Sequence, residues 1–442
     1  MPAIRPAPPS GANRWMLPRK RSTAPSAAST RPGSRVWLAS AGVGGGRSRV
    51  ETAIAVTPCL LLWLRHTICQ NIARRETWRE DRMRRGMLWV LGAGALLAVV
   101  VGVGARVPAV QDAVVRAAIL RLVASQPNEL FGEDALRVLL CGTASPLPHP
   151  SRAKACVAVF AGGHFWIVDT GPGSWNRMAL LRIDGARIGG VLLTHFHSDH
   201  IGDLGEFNLN TWVMGRSGPL RVFGPPGVER VVTGFGEAYA LDTQYRIMHH
   251  GADFLPPAAG LLEAHPVAGP ADGTGPQVVL EENGLRITAF AVHHDPVKPA
   301  YGYRFDYRGR SVVVSGDTTK DEGLIQAARG ADVLVHEAQA NHLVALIREA
   351  AASAGRPRVA KIMGDIPSYH TSPVQAAEAA NEAGVKLLVL YHLTPPPPVR
   401  IVEWVFTRGV SQVRPDGWLI ADDGLLVELP ADSSLVRTRQ LQ

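Results

Sequence analysis

Thr194-His195-Phe196-His197-Ser198-Asp199-His200 sets three imidazoles and a carboxylate within six residues, in the order H-x-H-x-D-H. As ordinary core groups, each would need its own hydrogen-bond partner in a dry site. Imidazole nitrogen with carboxylate oxygen is instead a ligand set for zinc, and manganese or iron accept the same donors. The segment follows the apolar run Gly190-Val191-Leu192-Leu193, which reads as a strand. At a strand end His195 and His197 point the same way. Asp199 and His200 follow in the loop, where they can turn toward a second ion a few Å away. One short segment can therefore serve two metals.

This spacing resembles that of the metallo-β-lactamase-fold metallo-hydrolases, and further segments carry the resemblance along the chain. Trp166-Ile167-Val168-Asp169-Thr170-Gly171-Pro172-Gly173 is similar to the family's strand-then-turn. The resemblance puts its Asp behind the ligands, where a carboxylate fixes histidine tautomers. His293-His294, ahead of Asp295-Pro296-Val297-Lys298-Pro299-Ala300-Tyr301-Gly302-Tyr303-Arg304, stands where the family has the third histidine of its first metal. His294 is favoured, because in relatives the ligand follows an acidic residue and His293 occupies that position. Val312-Val313-Val314-Ser315-Gly316-Asp317-Thr318 ends in the family's bridging Asp, and Lys386-Leu387-Leu388-Val389-Leu390-Tyr391-His392 in its last ligand. The resemblance thus implies one site of His195, His197, His294 and Asp317. Asp199, His200, His392 and the shared Asp317 make the other. The pair would hold two Zn2+, with Mn2+ or Fe2+ as substitutes.

Val333-Leu334-Val335-His336-Glu337-Ala338 and Ser368-Tyr369-His370-Thr371-Ser372 resemble the H-E-A-T and H-S-S segments of the transfer-RNA 3′-processing branch. There the Glu holds the later His, so the resemblance implies that Glu337 orients His370. Thr371-Ser372-Pro373 ahead of an apolar helical run is also a good helix start, and both roles are compatible. The implied chemistry is attack by a metal-bridged hydroxide, oriented by Asp199, with His370 protonating the departing oxygen.

Strands and helices must position these groups. Strand-like runs occur at 136–141, 156–160, 164–169, 190–194, 220–224, 285–292, 301–306, 311–315, 333–337 and 387–392. Helical patterns start near residue 202 and cover 228–240, 322–328 and 373–383. Such alternation in two halves predicts an α/β fold of two mixed sheets packed face to face, helices outside. The resemblance makes this the superfamily's four-layer αβ/βα sandwich, over roughly residues 136–430. Residues 239–262, with His249-His250, read as a surface loop, lining of the substrate entrance being the alternative.

Residues 1–86 hold 16 Lys/Arg against 4 Asp/Glu, a net +12, while the remaining 356 residues carry −4. That first segment is rich in Pro, Ala, Ser, Gly and Arg and reads as disordered. Residues 87–105 contain no charge over 19 positions, a length that suits a bilayer, and one N-terminal apolar helix precedes the sandwich. It reads as a membrane anchor or a removed signal peptide. Six arginines lie on its N-terminal side, which predicts an inner-membrane anchored or secreted protein with an extracytoplasmic catalytic part. Met83-Arg84-Arg85-Gly86 looks like a natural start, so residues 1–82 are expected to be an over-extended translation. Residues 106–134 should include a linker helix, 135–430 the hydrolase domain and 431–442 a tail. Whether Cys141 and Cys156 pair is left open.

Three functions compete. An exported or membrane-anchored hydrolase of small esters, arylsulfatase-like or phosphodiesterase-like, is favoured, because the 294–304 segment and Tyr391-His392-Leu393 resemble those of arylsulfatase-like members. The alternative is a ribonuclease Z-like transfer-RNA endonuclease, and the third is a membrane-tethered metal scaffold without turnover. Only 22 residues separate His294 from Asp317, no room for the basic arm that many such nucleases carry there. With the acidic balance and the expected export, this argues against nucleic acid and for a small-molecule ester as partner. Analogy with relatives adds a homodimer.

Overall fold

Continuous apolar runs, rather than alternating ones, mark strands covered on both faces. β1 (Ala135–Gly142), β2 (Cys156–Ala161) and β4 (Ile188–Leu192) are buried at every residue. The computed structural model describes residues 58–124, 128–271, 273 and 275–441. They divide into one unit ending at Val103 and another starting at Gly104.

In the second unit β3 (His164–Val168) pairs in parallel with β4, followed by β5 (Leu220–Gly224) and β6 (Leu262–Pro266). β7 (Gln277–Glu282), β8 (Leu285–Val292), β9 (Ala300–Tyr307), β10 (Arg310–Val314), β11 (Val333–Gln339), β12 (Leu387–Thr394) and β13 (Trp418–Ile420) form a second sheet. β14 (Leu425–Pro430) and β15 (Arg437–Gln440) return to the first, whose order is β15-β14-β1-β2-β3-β4-β5-β6.

Alternation sorts the side chains into three apolar layers. Val157 and Val159 face the other sheet with Phe305 and Val312, while Ala158 and Phe160 of the same strand face helices. Phe207, Val228 and Leu204 cover the outside of the first sheet; Leu324, Ala376 and Ala380 cover the second with Val313 and Leu334. Each fully buried Val, Leu or Phe here contributes roughly 1.5–3 kcal/mol. Two sheets inside and helices on both faces make the four-layer αβ/βα sandwich.

α1 (Pro58–Gly104) is one continuous helix and α2 (Pro108–Ala124) follows. Residues 58–86 are therefore helical where disorder was expected; Pro58 stands at the first helical position, where proline is tolerated, and no proline follows it before Val107. Residues 1–57 lie outside the described residues. Asp81–Gly104 is long and apolar enough to cross a membrane, by length and composition. The helices of the second unit continue as α3 (Ser174–Leu180), α4 (Ser198–Ile201), α5 (Leu204–Val213) and α6 (Val228–His250). α7 (Glu322–Ala328), α8 (Asn341–Ser353), α9 (Pro357–Asp365), α10 (Pro373–Ala383), α11 (Arg400–Phe406) and α12 (Val410–Val413) complete the set.

Two more expectations are corrected. Residues 239–250 are helical rather than a loop, since no Gly or Pro stands between Gly236 and Gly251, whose φ is 88°. Residues 437–440 are an edge strand rather than a tail, tied down by Arg439 to Glu129 at 2.6 Å. Cys141 and Cys156 form a disulfide between neighbouring strands, with Cα atoms 5.0 Å apart.

Asp332, just before β11, binds three strands at the end remote from the histidines. It accepts from Arg310 Nε at 2.9 Å, from the Ser311 amide at 2.9 Å and from Lys386 Nζ at 2.7 Å. Burial pushes its carboxyl up, but Arg310 and Lys386 hold it below the usual range. Its stabilisation is thus present at neutral pH and lost as pH falls through the lowered value. Asp332→Asn should destabilise the fold by about 3 kcal/mol, because Arg310 is left buried without its counter-charge. Thermal melts at pH 7 check this, and the gap to the wild type should narrow in acid.

Candidate metal centre

The ligand candidates stand at strand ends along one edge of the sandwich. Asp169, at φ 59° after β3, gathers the loop beyond β4. Its Oδ1 accepts the Thr194 amide at 2.8 Å, and its Oδ2 accepts Thr194 Oγ1 and His200 Nδ1, each at 2.8 Å. His200 therefore carries its proton on Nδ1 and presents the Nε2 lone pair. His294 is set the same way, its Nδ1 donating to the Tyr369 carbonyl at 3.0 Å. Second partners of this kind fix ring orientation in metal sites.

The potential ligand atoms of His195, His197, His294 and Asp317 lie within 4.8 Å of one another, as do those of Asp199, His200 and His392. Asp317 faces both groups. Its Oδ2 is 3.9 Å from His195 Nε2 and from His294 Nε2, and 3.3 Å from His200 Nε2; its Oδ1 is 3.4 Å from His392 Nδ1. His392 Nε2 meets Asp199 Oδ2 at 3.2 Å.

Four of these atoms are buried without a hydrogen-bond partner: His200 Nε2, His294 Nε2, His392 Nδ1 and Asp317 Oδ1. Orphaned polar atoms converging on one point are costly unless something satisfies them. A divalent cation does so, and nitrogen with carboxylate oxygen is its donor set. The residues fit the metal. Burial pushes the His195 and His294 imidazoles toward the neutral form that ligation requires. Burial works against ionised Asp199, but His200 and His392 bring its carboxyl down to about 2. His200 goes the other way: burial opposes its charge, but the Asp317 and Asp169 carboxylates outweigh it, so a cation bound there would displace the Nε2 proton.

Glu337 and His370 meet as well. Glu337 Oε1 accepts His370 Nδ1 at 2.8 Å and the amides of Thr318 and Thr371 at 3.1 and 3.2 Å. Burial opposes the charged form of His370, yet Glu337 raises its pKa to about 9. The ring lies 5.2 Å from that of His294 and 5.9 Å from that of His392. His370 also groups with Asp317 and His392 as a third set of potential donors. Ser372 caps α10 through a capping box with Gln375, so the next turn does double as a helix start.

All nine residues singled out as ligands or catalytic groups converge here. His293 does not; it is exposed and pairs with Asp295 at 3.0 Å. Sequence reasoning missed the Tyr369 carbonyl and the amides that hold Glu337, because a backbone group leaves no side-chain signature. His336 lies buried outside the cluster, donating from Nδ1 to the Glu337 carbonyl at 2.7 Å.

A family model described as a beta-lactamase superfamily domain matches residues 165–393. Ribonuclease Z of Mycobacterium avium (strain 104) is 38% identical over 263 residues, spanning 59% of this chain and 86% of the relative. Ribonuclease Z of Mycobacterium bovis (strain BCG / Pasteur 1173P2) is 38% identical over 264 residues, with the same coverage. Among solved structures, the short form of human tRNase Z aligns at 19% identity with a TM-score of 0.48, over 66% of this chain and 99% of that one.

Proposed function

The chain belongs to the β-lactamase superfamily as a metal-dependent hydrolase of ester bonds, and from that premise we propose that it cuts phosphodiester bonds in RNA, as a ribonuclease Z-like endonuclease. The observation that carries this is the 38% identity to ribonucleases Z across 86% of their length. It favours this reading over the small-ester, arylsulfatase-like one and outweighs the argument against nucleic acid. The −4 balance after residue 86 was a poor guide, because phosphate grip depends on where cations stand rather than on their sum.

His195, His197, His294 and Asp317 would hold one divalent ion, Zn2+ by the donor set, and Asp199, His200, His392 and Asp317 the other. When bound, the ion pair acidifies water and offsets the charge that builds on the attacked phosphoryl group. Asp199 and Asp317 hold the centre anionic enough to keep its cations. Glu337 fixes His370 by its Nδ1, leaving Nε2–H to protonate the departing oxygen. The two threonine amides keep Glu337 from turning away.

A panel of precursor transfer RNA, an aryl sulfate and an aryl carboxylic ester, offered to the full chain, tests the proposal. Precursor RNA should be cleaved at a defined 3′ position; turnover of the sulfate alone would overturn it. One observation favours the small-ester hydrolase as second reading: the Cys141–Cys156 disulfide suits an oxidising compartment, where RNA is not the expected substrate. The arginines ahead of the apolar stretch point to the same side. We infer from these features that the catalytic unit works outside the cytoplasm. A reporter fused after Gln442 should be active only on the outer side. Activity inside would refute the placement and remove the support for the second reading.

A further inference from the structure

His197, the exposed member of the first ligand group, also lines a cavity of about 570 Å³. The other walls include Phe196, Val231 and Val297, with the cations Arg230 and Lys298. Such a volume suits one nucleotide-sized group. The two cations differ. Lys298 Nζ is 2.5 Å from Asp295, so its charge is answered. Arg230 is exposed in the first turn of α6, and its guanidinium has no ion-pair or hydrogen-bond partner among the described residues. Its neighbour Glu229 is turned back onto the Gly227 amide at 3.0 Å. Gly227, at φ 106°, shapes the wall: a Cβ there would come 3.3 Å from the Phe196 ring.

An unpaired guanidinium beside apolar walls is not the makeup of a simple ionic patch. The planar fork grips a phosphate through two parallel bonds, and an aromatic or apolar wall accepts the face of a base. We propose that this cleft seats the nucleotide adjoining the scissile phosphodiester, with Arg230 holding that nucleotide's own phosphate. The assignment rests on the RNA-cleaving reading above. Arg230 acts in specificity and binding only; it stands outside the ligand groups and the Glu337–His370 pair.

The test uses the metal-loaded full chain, Arg230→Gln and Arg230→Lys. A fluorescent single-stranded oligoribonucleotide is followed by stopped-flow anisotropy before turnover and then by cleavage. Bis(p-nitrophenyl) phosphate, a diester with no neighbouring phosphate, serves as the second substrate. Arg230→Gln should weaken oligoribonucleotide binding and raise its KM about tenfold or more, the scale of a charge-assisted bond, with kcat unchanged. The slope of log Kd against log salt should become shallower by about 0.7, one phosphate contact on a single strand. Hydrolysis of the small diester should not change, and Arg230→Lys should recover part of the loss. Unaltered oligoribonucleotide binding overturns the subsite, as does a loss shared equally by the small diester. Arg230-dependent binding without cleavage of either diester would sink the RNA-cleaving reading and leave the cleft as an RNA-binding site with no scissile bond beside it. A wild-type chain that fails to bind the oligoribonucleotide sinks the subsite even if the small diester is cleaved.

Discussion

Asp317→Ala should empty both halves of the centre at once. Asp317 is the residue that faces both groups, with His195, His200, His294 and His392 all within 3.9 Å of its carboxylate. Losing a residue that only orients a ligand typically costs about 10–100-fold in metal affinity. Removing a shared ligand should cost more than about 100-fold at each site and abolish detectable hydrolysis. Asp169→Asn makes the contrast, because Asp169 orients His200 and the Thr194 strap while touching no ligand of the first group directly. It should weaken one metal and spare the other. Elemental analysis of the purified variants separates the two outcomes. Retention of one ion by Asp317→Ala would mean that the carboxylate does not bridge.

His370→Ala should lower kcat by about 10²–10⁴-fold while substrate affinity and metal content stay nearly unchanged. A proton donor acts on the departing oxygen in the transition state, so its loss is felt in the chemical step. The competing geometry is explicit: His370 also lies close enough to Asp317 and His392 to share an ion with them. Its Nδ1 is committed to Glu337 at 2.8 Å, which favours the donor role. A substrate with a nitrophenol leaving group needs little protonation and should partly rescue the variant. Glu337→Gln should show a milder form of the same defect. Loss of a metal from His370→Ala would make the residue a ligand, and full activity on poor leaving groups would leave it a structural residue.

The centre was legible in the sequence because its side chains have few other uses. Five segments from Asp169 to His392 appear in the order the fold requires, and each segment stands at the end of an apolar, strand-like run. The choice of His294 over His293 rested on a single departure from the family pattern. In the structure the two differ fully: His294 is buried with a fixed tautomer and His293 is exposed. The peripheral elements were less legible. β15 carries Arg437 and Arg439, and such charged edge strands do not show the apolar alternation that marks inner ones. The far half of α6 exposes Leu241, Tyr245 and Met248, so its apolar pattern does not point inward as helical periodicity assumes. Disulfide formation at Cys141 and Cys156 depends on Cα separation, which sequence does not encode. The two substrate readings were weighed with signals of the same kind. The balance after residue 86, the short His294–Asp317 spacing and the expected export stood in place of where single cations lie beside the centre, which the sequence does not show.

Metal counting on the wild-type full chain tests the central claim most directly. Purified without chelator, the protein should carry two divalent ions per chain. Their removal should abolish hydrolysis of RNA, and their return should restore it. One ion per chain at full activity, or hydrolysis that survives complete metal removal, would contradict the two-metal account.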